Sequence, residues 1–134
     1  MDILVLVIDP HVPARRALIE QLREWDVFAI GVATAREAMD LIVKGGVFDA
    51  VVVDEMPDAV VDSRSFVRWL RELDCDIPVA VLTEQAGMRK PMEAPGCVDI
   101  LVKPPAYGFV AEIIAEKVAA FRAHNPSNCP RPRG

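Results

Sequence analysis

The sequence has no long hydrophobic segment. Its longest uninterrupted apolar run, Ile3–Ile8, spans 6 residues, whereas a membrane-spanning helix needs about 20. A secretory leader is not expected either, because Asp2 follows Met1 where a basic segment should stand. We therefore expect a protein that does not cross a membrane and that works in the cytoplasm.

Cysteine is scarce and basic charge is not in excess. The three cysteines, Cys75, Cys97 and Cys129, include no CxxC pair and no Cys/His spacing typical of zinc ligands. Their number and spacing argue against a disulfide framework and against a zinc site. The net charge of −5 at pH 7 repels nucleic-acid phosphates. We expect no nucleic-acid binding by this segment.

Apolar residues are abundant. The chain has 134 residues, of which 52% are hydrophobic and 26% charged, which is enough apolar material for one domain with a buried core and excludes disorder of the whole chain. From His124 onward the sequence turns to Asn, Ser, Pro and Arg without an apolar period. We predict a domain over residues 1–122 and a flexible tail or linker stub over residues 123–134.

Short apolar segments alternate with helical patterns. The segments that predict strands are Ile3–Ile8, Val27–Val32, Ala50–Val53, Val79–Leu82 and Val98–Val102. Between them, Pro13 can open a helix, Thr34 with Glu37 forms a capping box, and Asp62 or Ser63 can cap a third helix. This alternation predicts an α/β domain with an open, doubly wound parallel sheet of five strands.

The segment between Thr83 and Val98 does not fit a regular helix. Two glycines and two prolines interrupt it: Gly87, Pro91, Pro95 and Gly96. A proline inside a helix costs about 3 kcal/mol. We therefore predict that the fourth helix is short or broken.

Four of the predicted strands end in a polar residue: Asp9, Asp54, Thr83 and Lys103. The carboxyl ends of parallel strands meet at one edge of the sheet, where ligands bind. An Asp after a strand often does no more than cap the next helix. Together, however, two carboxylates can hold Mg²⁺ or accept a phosphoryl group, while a hydroxyl and an ammonium can bind phosphoryl oxygens.

The chain resembles response-regulator receiver (CheY-like) domains over residues 2–122. The resemblance rests on four ordered segments: Leu4–Asp9, Phe48–Asp54 followed by Met56-Pro57, Ile77–Thr83, and Asp99–Pro104. It implies a flavodoxin-like sheet with strand order 2-1-3-4-5.

The resemblance also implies a function in two-component signal transduction. Asp54 would be the phosphoacceptor for a histidine kinase or a phosphotransfer protein, and the product would be a phosphoprotein in a phosphorelay. Asp9 and Asp54 would bind Mg²⁺, Thr83 would contact a phosphoryl oxygen, and Lys103 would supply the counter-charge. Phosphorylation would then change contacts with a downstream protein target, and a homodimer is possible. On this interpretation the domain is not an enzyme.

The metal site departs from the family pattern. Receivers usually have two successive acids after the first strand, but here Asp9 is followed by Pro10. Proline has no side-chain ligand, so we expect weakened Mg²⁺ affinity. Three residues could replace the missing acid through space: His11, Glu55 and Asp58.

Further departures lie in the loops and in the last strand. Only Glu55 separates Asp54 from Met56, where the family has two residues, so a backbone metal ligand is in doubt. Glu84 replaces a small residue after Thr83 and would repel a phosphodonor. Ile100 occupies the position of the family's switch aromatic. These changes leave an alternative open, namely a pseudo-receiver that has lost phosphorylation and acts as a protein-interaction module.

Two other functions fit the sequence less well. Phosphatases with an aspartyl nucleophile need a second Asp two residues after the first, and His11 occupies that position. Flavin binding on this architecture needs a Ser/Thr/Gly-rich phosphate loop after the first strand. Residues 10–13, Pro-His-Val-Pro, do not provide one.

Overall fold

The structure, a computed structural model, describes residues 2–54, 63–73, 75–83, 98–102 and 107–124. Within these residues the chain forms five strands and four helices. In chain order they are β1 (Ile3–Ile8), α1 (Val12–Glu24), β2 (Val27–Val32), α2 (Ala35–Val43), β3 (Ala50–Asp54), α3 (Ser63–Glu72), β4 (Val79–Thr83), β5 (Val98–Val102) and α4 (Tyr107–His124).

The strands form one parallel sheet in the order β2-β1-β3-β4-β5. The order predicted from the sequence is confirmed. The second crossover, from β2 through α2, places β3 on the opposite side of β1 from β2, so the chain reverses direction across the sheet at β1. The carboxyl ends of β1 and β3 therefore lie side by side, which is where an open α/β sheet forms its binding crevice.

The central strands are apolar throughout because helices cover both faces of the sheet. On one face, Leu6 and Ile8 of β1 belong to a buried cluster with residues of α2 and α3. On the other face, Val5 and Val7 belong to a second cluster with residues of α1 and α4. This two-sided burial explains the unbroken apolar run at the start of the chain.

Helix ends follow the local signals in the sequence. His11 is the N-cap of α1, with Pro13 in the first turn. Thr34 caps α2, because its hydroxyl oxygen accepts a hydrogen bond from the backbone N–H of Glu37 at 3.1 Å. Gly45, with φ of +99°, adopts the left-handed conformation that ends α2. The predicted start signals, Pro13 for α1 and Thr34 with Glu37 for α2, are confirmed.

One expectation about the helices needs correction, and others concern residues outside the described part of the chain. Trp25 continues the helical spacing of Leu18 and Leu22 in the sequence, which predicts a place on the apolar face of α1. It is instead the C-cap of α1 and is 50% exposed, because the helix ends one residue earlier. Ser63 is the first residue of α3 and Asp62 lies outside the described residues. The predicted break in the fourth helix and the predicted tail also fall largely outside them, apart from residues 123–124 at the end of α4. The domain boundary at residue 122 stays a prediction.

The expectation of no disulfide is wrong for Cys75, which is disulfide-bonded. Cysteine spacing along the chain did not indicate this bond, because a disulfide requires only that two cysteines approach in space. Cys75 is 5% exposed in the core cluster beside α3. Its backbone carbonyl accepts a hydrogen bond of 2.8 Å from the guanidinium of Arg71.

No helix in the described part of the chain is long and apolar enough to span a membrane.

Candidate functional site at the carboxyl edge of the sheet

Asp9 and Asp54 occupy adjacent positions at the carboxyl edge of the sheet. Ile8 of β1 is in register with Val53 of β3. Asp9 directly follows Ile8, and Asp54 directly follows Val53. Neighbouring strands in a sheet lie about 4.8 Å apart. The two acids predicted to share a site are therefore brought together by the β1–β3 pairing.

Three hydrogen bonds hold Asp9. Its backbone N–H donates to the carbonyl of Val32 in β2 at 3.0 Å. Its Oδ1 accepts from the backbone N–H of His11 at 2.9 Å, and its backbone carbonyl accepts from Nη1 of Arg15 at 2.8 Å. With its residue only 7% exposed, the Asp9 carboxylate has a well-defined position between the end of β1 and the start of α1.

Arg15 reaches Asp9 across a glycine. A Cβ at Gly31 of β2 would lie 2.9 Å from Cδ of Arg15 and 2.7 Å from Cδ1 of Ile19. Such distances are too short for real Cβ atoms, so a side chain at position 31 would force the side chains of Arg15 and Ile19 to shift. No motif in the sequence indicates the role of Arg15. The available signal was Gly31 itself, because a glycine inside an apolar strand often marks a close approach.

Thr83 lies at the same edge on the other side of Asp54. Asp54 is in register with Leu82 of β4, so Thr83 is one residue farther along the neighbouring strand. Thr83 is 4% exposed and Asp54 is partly exposed. The structure thus places three of the four predicted site residues, Asp9, Asp54 and Thr83, at the ends of three successive strands.

The fourth predicted residue, Lys103, lies outside the described residues. Its predecessor Val102 ends β5 in register with Thr83. Glu55, Asp58 and Glu84 also lie outside the described part of the chain, and Ile100 is described only as part of the backbone of β5. The expectations for these side chains stay predictions.

The candidate ligands for a metal are the two carboxylates. Carboxylate oxygens suit Mg²⁺, but Pro10 adds no side-chain donor, and Oδ1 of Asp9 already accepts a hydrogen bond from His11. The Nδ1 atom of His11 accepts a hydrogen bond of 3.3 Å from the N–H of Ala14, so that nitrogen is occupied by helix capping. Among the described residues no group of three His, Cys, Asp or Glu side chains could hold a metal ion. The two aspartates fit a divalent cation as an incomplete set of ligands.

No protein-family model matches the chain, and no curated protein matches it. Solved structures do. The receiver domain of the Francisella response regulator 1452 has a TM-score of 0.77 at 22% identity, covering 88% of this chain and 98% of that domain. A receiver domain protein from Clostridium thermocellum has a TM-score of 0.79 at 17% identity, covering 91% and 98%. The receiver domain of the hybrid histidine kinase CckA has a TM-score of 0.69 at 19% identity, covering 86% and 98%.

These similarities extend over nearly the whole chain and over nearly the whole of each matched domain. Their sequence identities are all below 25%, so the likeness is one of fold. The strand order and the acidic edge are in keeping with this result. The chain has the fold of response-regulator receiver domains, at low sequence identity to them.

Proposed function

We propose that this domain is a receiver of two-component signal transduction that accepts a phosphoryl group on Asp54. The donor is a histidine kinase or a phosphotransfer protein, and the phosphorylated domain changes its contacts with a downstream protein. Asp9 and Asp54 bind Mg²⁺, while Thr83 and Lys103 contact the oxygens of the phosphoryl group. In this role the domain is a signalling module rather than an enzyme with its own substrate.

The observation that carries this proposal is the placement of Asp54. It ends β3 between the end of β1, where Asp9 follows, and β4, which ends with Thr83. A carboxylate can act as a nucleophile toward phosphorus when a nearby cation and hydrogen-bond donors neutralise the charge that develops. The edge of the sheet offers an acceptor, a second acid for the cation and a hydroxyl donor, on three successive strands.

A pseudo-receiver is the second candidate, and the surroundings of Asp9 favour it. Pro10 removes a carboxylate ligand, and one oxygen of Asp9 is already engaged with the backbone of His11. Because Mg²⁺ loses its hydration shell reluctantly, a site with fewer charged ligands binds it more weakly. In a pseudo-receiver the unmodified surface binds the partner protein, and Asp54 serves only the fold.

Intact-mass measurement after incubation with acetyl phosphate and Mg²⁺ distinguishes the two functions. A receiver gains about 80 Da, the mass of one phosphoryl group, in the parent protein and not in the Asp54→Asn variant. The gain should disappear when EDTA removes the metal, and Asp9→Asn should raise the Mg²⁺ concentration that labelling requires. Absence of labelling over a wide range of Mg²⁺ concentration would reject phosphorylation by small donors and favour the pseudo-receiver.

A further inference from the structure

Strand β2 lies at the edge of the sheet and lacks the usual protection of an edge strand. Its six residues, Val27–Val32, include no charged residue and no proline. Natural edge strands commonly carry a charge, a proline or a bulge, because their unpaired backbone groups can pair with another chain. Within the described residues β2 pairs only with β1, so its outer edge has no strand beside it.

The direction of the backbone groups in β2 follows from one hydrogen bond. The carbonyl of Val32 accepts from the N–H of Asp9, so the backbone groups of Val32 point toward β1. Successive residues in a strand direct their N–H and C=O to opposite sides. The backbone groups of Val27, Ala29 and Gly31 therefore point away from the sheet.

The side chains on one face of β2 form an exposed apolar pair. Phe28 and Ile30 are in register with Leu4 and Leu6, so they lie on the face that α2 and α3 cover. They are nevertheless 47% and 45% exposed, whereas Val32 on the same face is only 9% exposed. Helix α2 therefore covers the carboxyl end of β2 and leaves Phe28 and Ile30 exposed to solvent.

We propose that β2 pairs with β2 of a second copy of this chain, in antiparallel orientation about a two-fold axis at Ala29. In this register Ala29 faces its own counterpart as a hydrogen-bonded pair, and the outward backbone groups of Val27 face those of Gly31. Phe28 of each copy then lies opposite Ile30 of the other. Those positions form non-hydrogen-bonded pairs, in which side chains approach most closely.

The chemistry of the strand selects a second copy as the occupant. An aromatic residue opposite a β-branched residue is a favourable cross-strand pair, and the two-fold register makes this pair twice with the same two residues. The exposed side chains of β2 are therefore complementary to those of β2 in a second copy.

The charges near the two ends of β2 do not oppose this pairing. The exposed Asp26 directly precedes the strand, and the exposed Arg36 and Glu37 follow its other end in the first turn of α2. Antiparallel pairing brings Asp26 of one copy toward the end of its partner that is followed by one base and one acid. Since β2 itself is uncharged, no like charges meet along the strand.

The interface is small, so the dimer is expected to be weak. Two exposed side chains and one strand edge from each copy fall short of the roughly 1,200 Å² that stable interfaces bury. Association should therefore appear as a concentration-dependent rise in mass, between about 10 µM and about 1 mM. The proposal does not depend on phosphorylation of Asp54.

Sedimentation equilibrium tests the dimer. The average mass should rise from that of the 14.7 kDa chain toward twice that value. Ala29→Pro removes one outward N–H without affecting the pairing of β2 with β1, and Ile30→Lys places two charges in the apolar cluster. Each should weaken association about tenfold or more. Val47→Lys, at a residue 44% exposed in the loop before β3, is the matched control and should not change it.

Amide hydrogen exchange on the unmodified chain tests the register independently of any variant. Exchange at Ala29 and Gly31 should slow as protein concentration rises, while exchange at Ile30, whose N–H faces β1, should not change. A wild-type chain that stays monomeric up to about 1 mM would overturn the proposal. So would a dimer that survives both variants, or concentration-dependent protection confined to residues outside β2.

Discussion

Arg15 and Asp9 are joined by a hydrogen bond from the guanidinium Nη1 to the backbone carbonyl oxygen, 2.8 Å long. The bond ties the start of α1 to the end of β1, six residues earlier in the chain. It therefore holds the backbone of the first acidic residue of the site in place by a helix rather than by the sheet alone. The approach of Arg15 depends in turn on the absence of a side chain at Gly31.

Gly31→Ala should lower the free energy of unfolding by about 1 kcal/mol. The new Cβ would lie 2.9 Å from Cδ of Arg15 and 2.7 Å from Cδ1 of Ile19, so both side chains must move. Because these atoms belong to flexible side chains, the strain is partly relieved, and the higher strand propensity of Ala offsets some of it. Urea denaturation measures the change.

The Arg15→Ala background is the control for that substitution. With the arginine removed, Gly31→Ala meets only Ile19 and should destabilise the domain less than in the parent. The difference between the two backgrounds is the coupling between positions 15 and 31. Equal losses in both backgrounds would show that Arg15 does not crowd Gly31 in solution.

Asp49 joins three parts of the chain at the amino ends of the strands, opposite the candidate site. Its Oδ2 accepts from the N–H of Leu4 at 2.8 Å, and its Oδ1 accepts from Nη2 of Arg122 at 2.9 Å. The same nitrogen of Arg122 donates to the backbone carbonyl of Asp2 at 3.0 Å. The last helix is thereby tied to the first strand.

Asp49→Ala should destabilise the domain by about 2 kcal/mol, and Arg122→Ala by about 1 kcal/mol or less. Loss of Asp49 leaves the N–H of Leu4 without its acceptor, whereas loss of Arg122 removes an ion pair that is partly exposed to solvent. Asp49→Asn keeps an oxygen for Leu4, so it should resemble Arg122→Ala. Chemical denaturation of the three variants provides the comparison, and an equal loss for Asp49→Ala and Asp49→Asn would contradict it.

Cys75 is disulfide-bonded in the structure, and the sequence contains three cysteines. Thiol titration of the denatured, unreduced protein should therefore find one thiol, and three after reduction. Reduction should lower the free energy of unfolding by about 2–4 kcal/mol. In Cys75→Ser the stability should no longer respond to the reductant. Three thiols in the unreduced protein would show that the bond does not form.

The sequence was sufficient to predict the strands and the positions of the acids, for a simple physical reason. A strand covered on both faces must be apolar along its length, so Asp9 and Asp54 mark where β1 and β3 leave the core. The parallel arrangement then brings both residues to one edge. Neither conclusion requires knowledge of side-chain conformation.

Other features were not predictable from local patterns. The contact between Arg15 and Asp9 depends on which rotamer a long side chain adopts over a neighbouring strand. The bond at Cys75 depends on proximity in space, whereas the spacing of the cysteines along the chain argued against a disulfide framework. The exposure of Phe28 and Ile30 depends on how far α2 extends over β2. All three arise from packing between elements.

The missing acid at position 10 provides the most direct test of the metal site. Pro10 is exposed and directly follows Asp9, at the carboxyl edge and ahead of the N-cap of α1. Pro10→Asp places a third carboxylate at this edge, and an acidic residue near a helix N-terminus is also favourable by about 0.5 kcal/mol. We expect the affinity for Mg²⁺ to rise about tenfold or more, because Mg²⁺ sites depend on carboxylate charge.

Titration calorimetry with Mg²⁺ measures this gain, and Pro10→Asn controls for the loss of the proline ring without adding charge. If the missing acid limits the site, Pro10→Asn should bind Mg²⁺ as weakly as the parent, and only Pro10→Asp should bind more tightly. Labelling of Asp54 by acetyl phosphate should then require a lower Mg²⁺ concentration in Pro10→Asp. An unchanged affinity in Pro10→Asp would mean that the constraint lies elsewhere at this edge. The hydrogen bond between Oδ1 of Asp9 and the backbone of His11 would be the next feature to test.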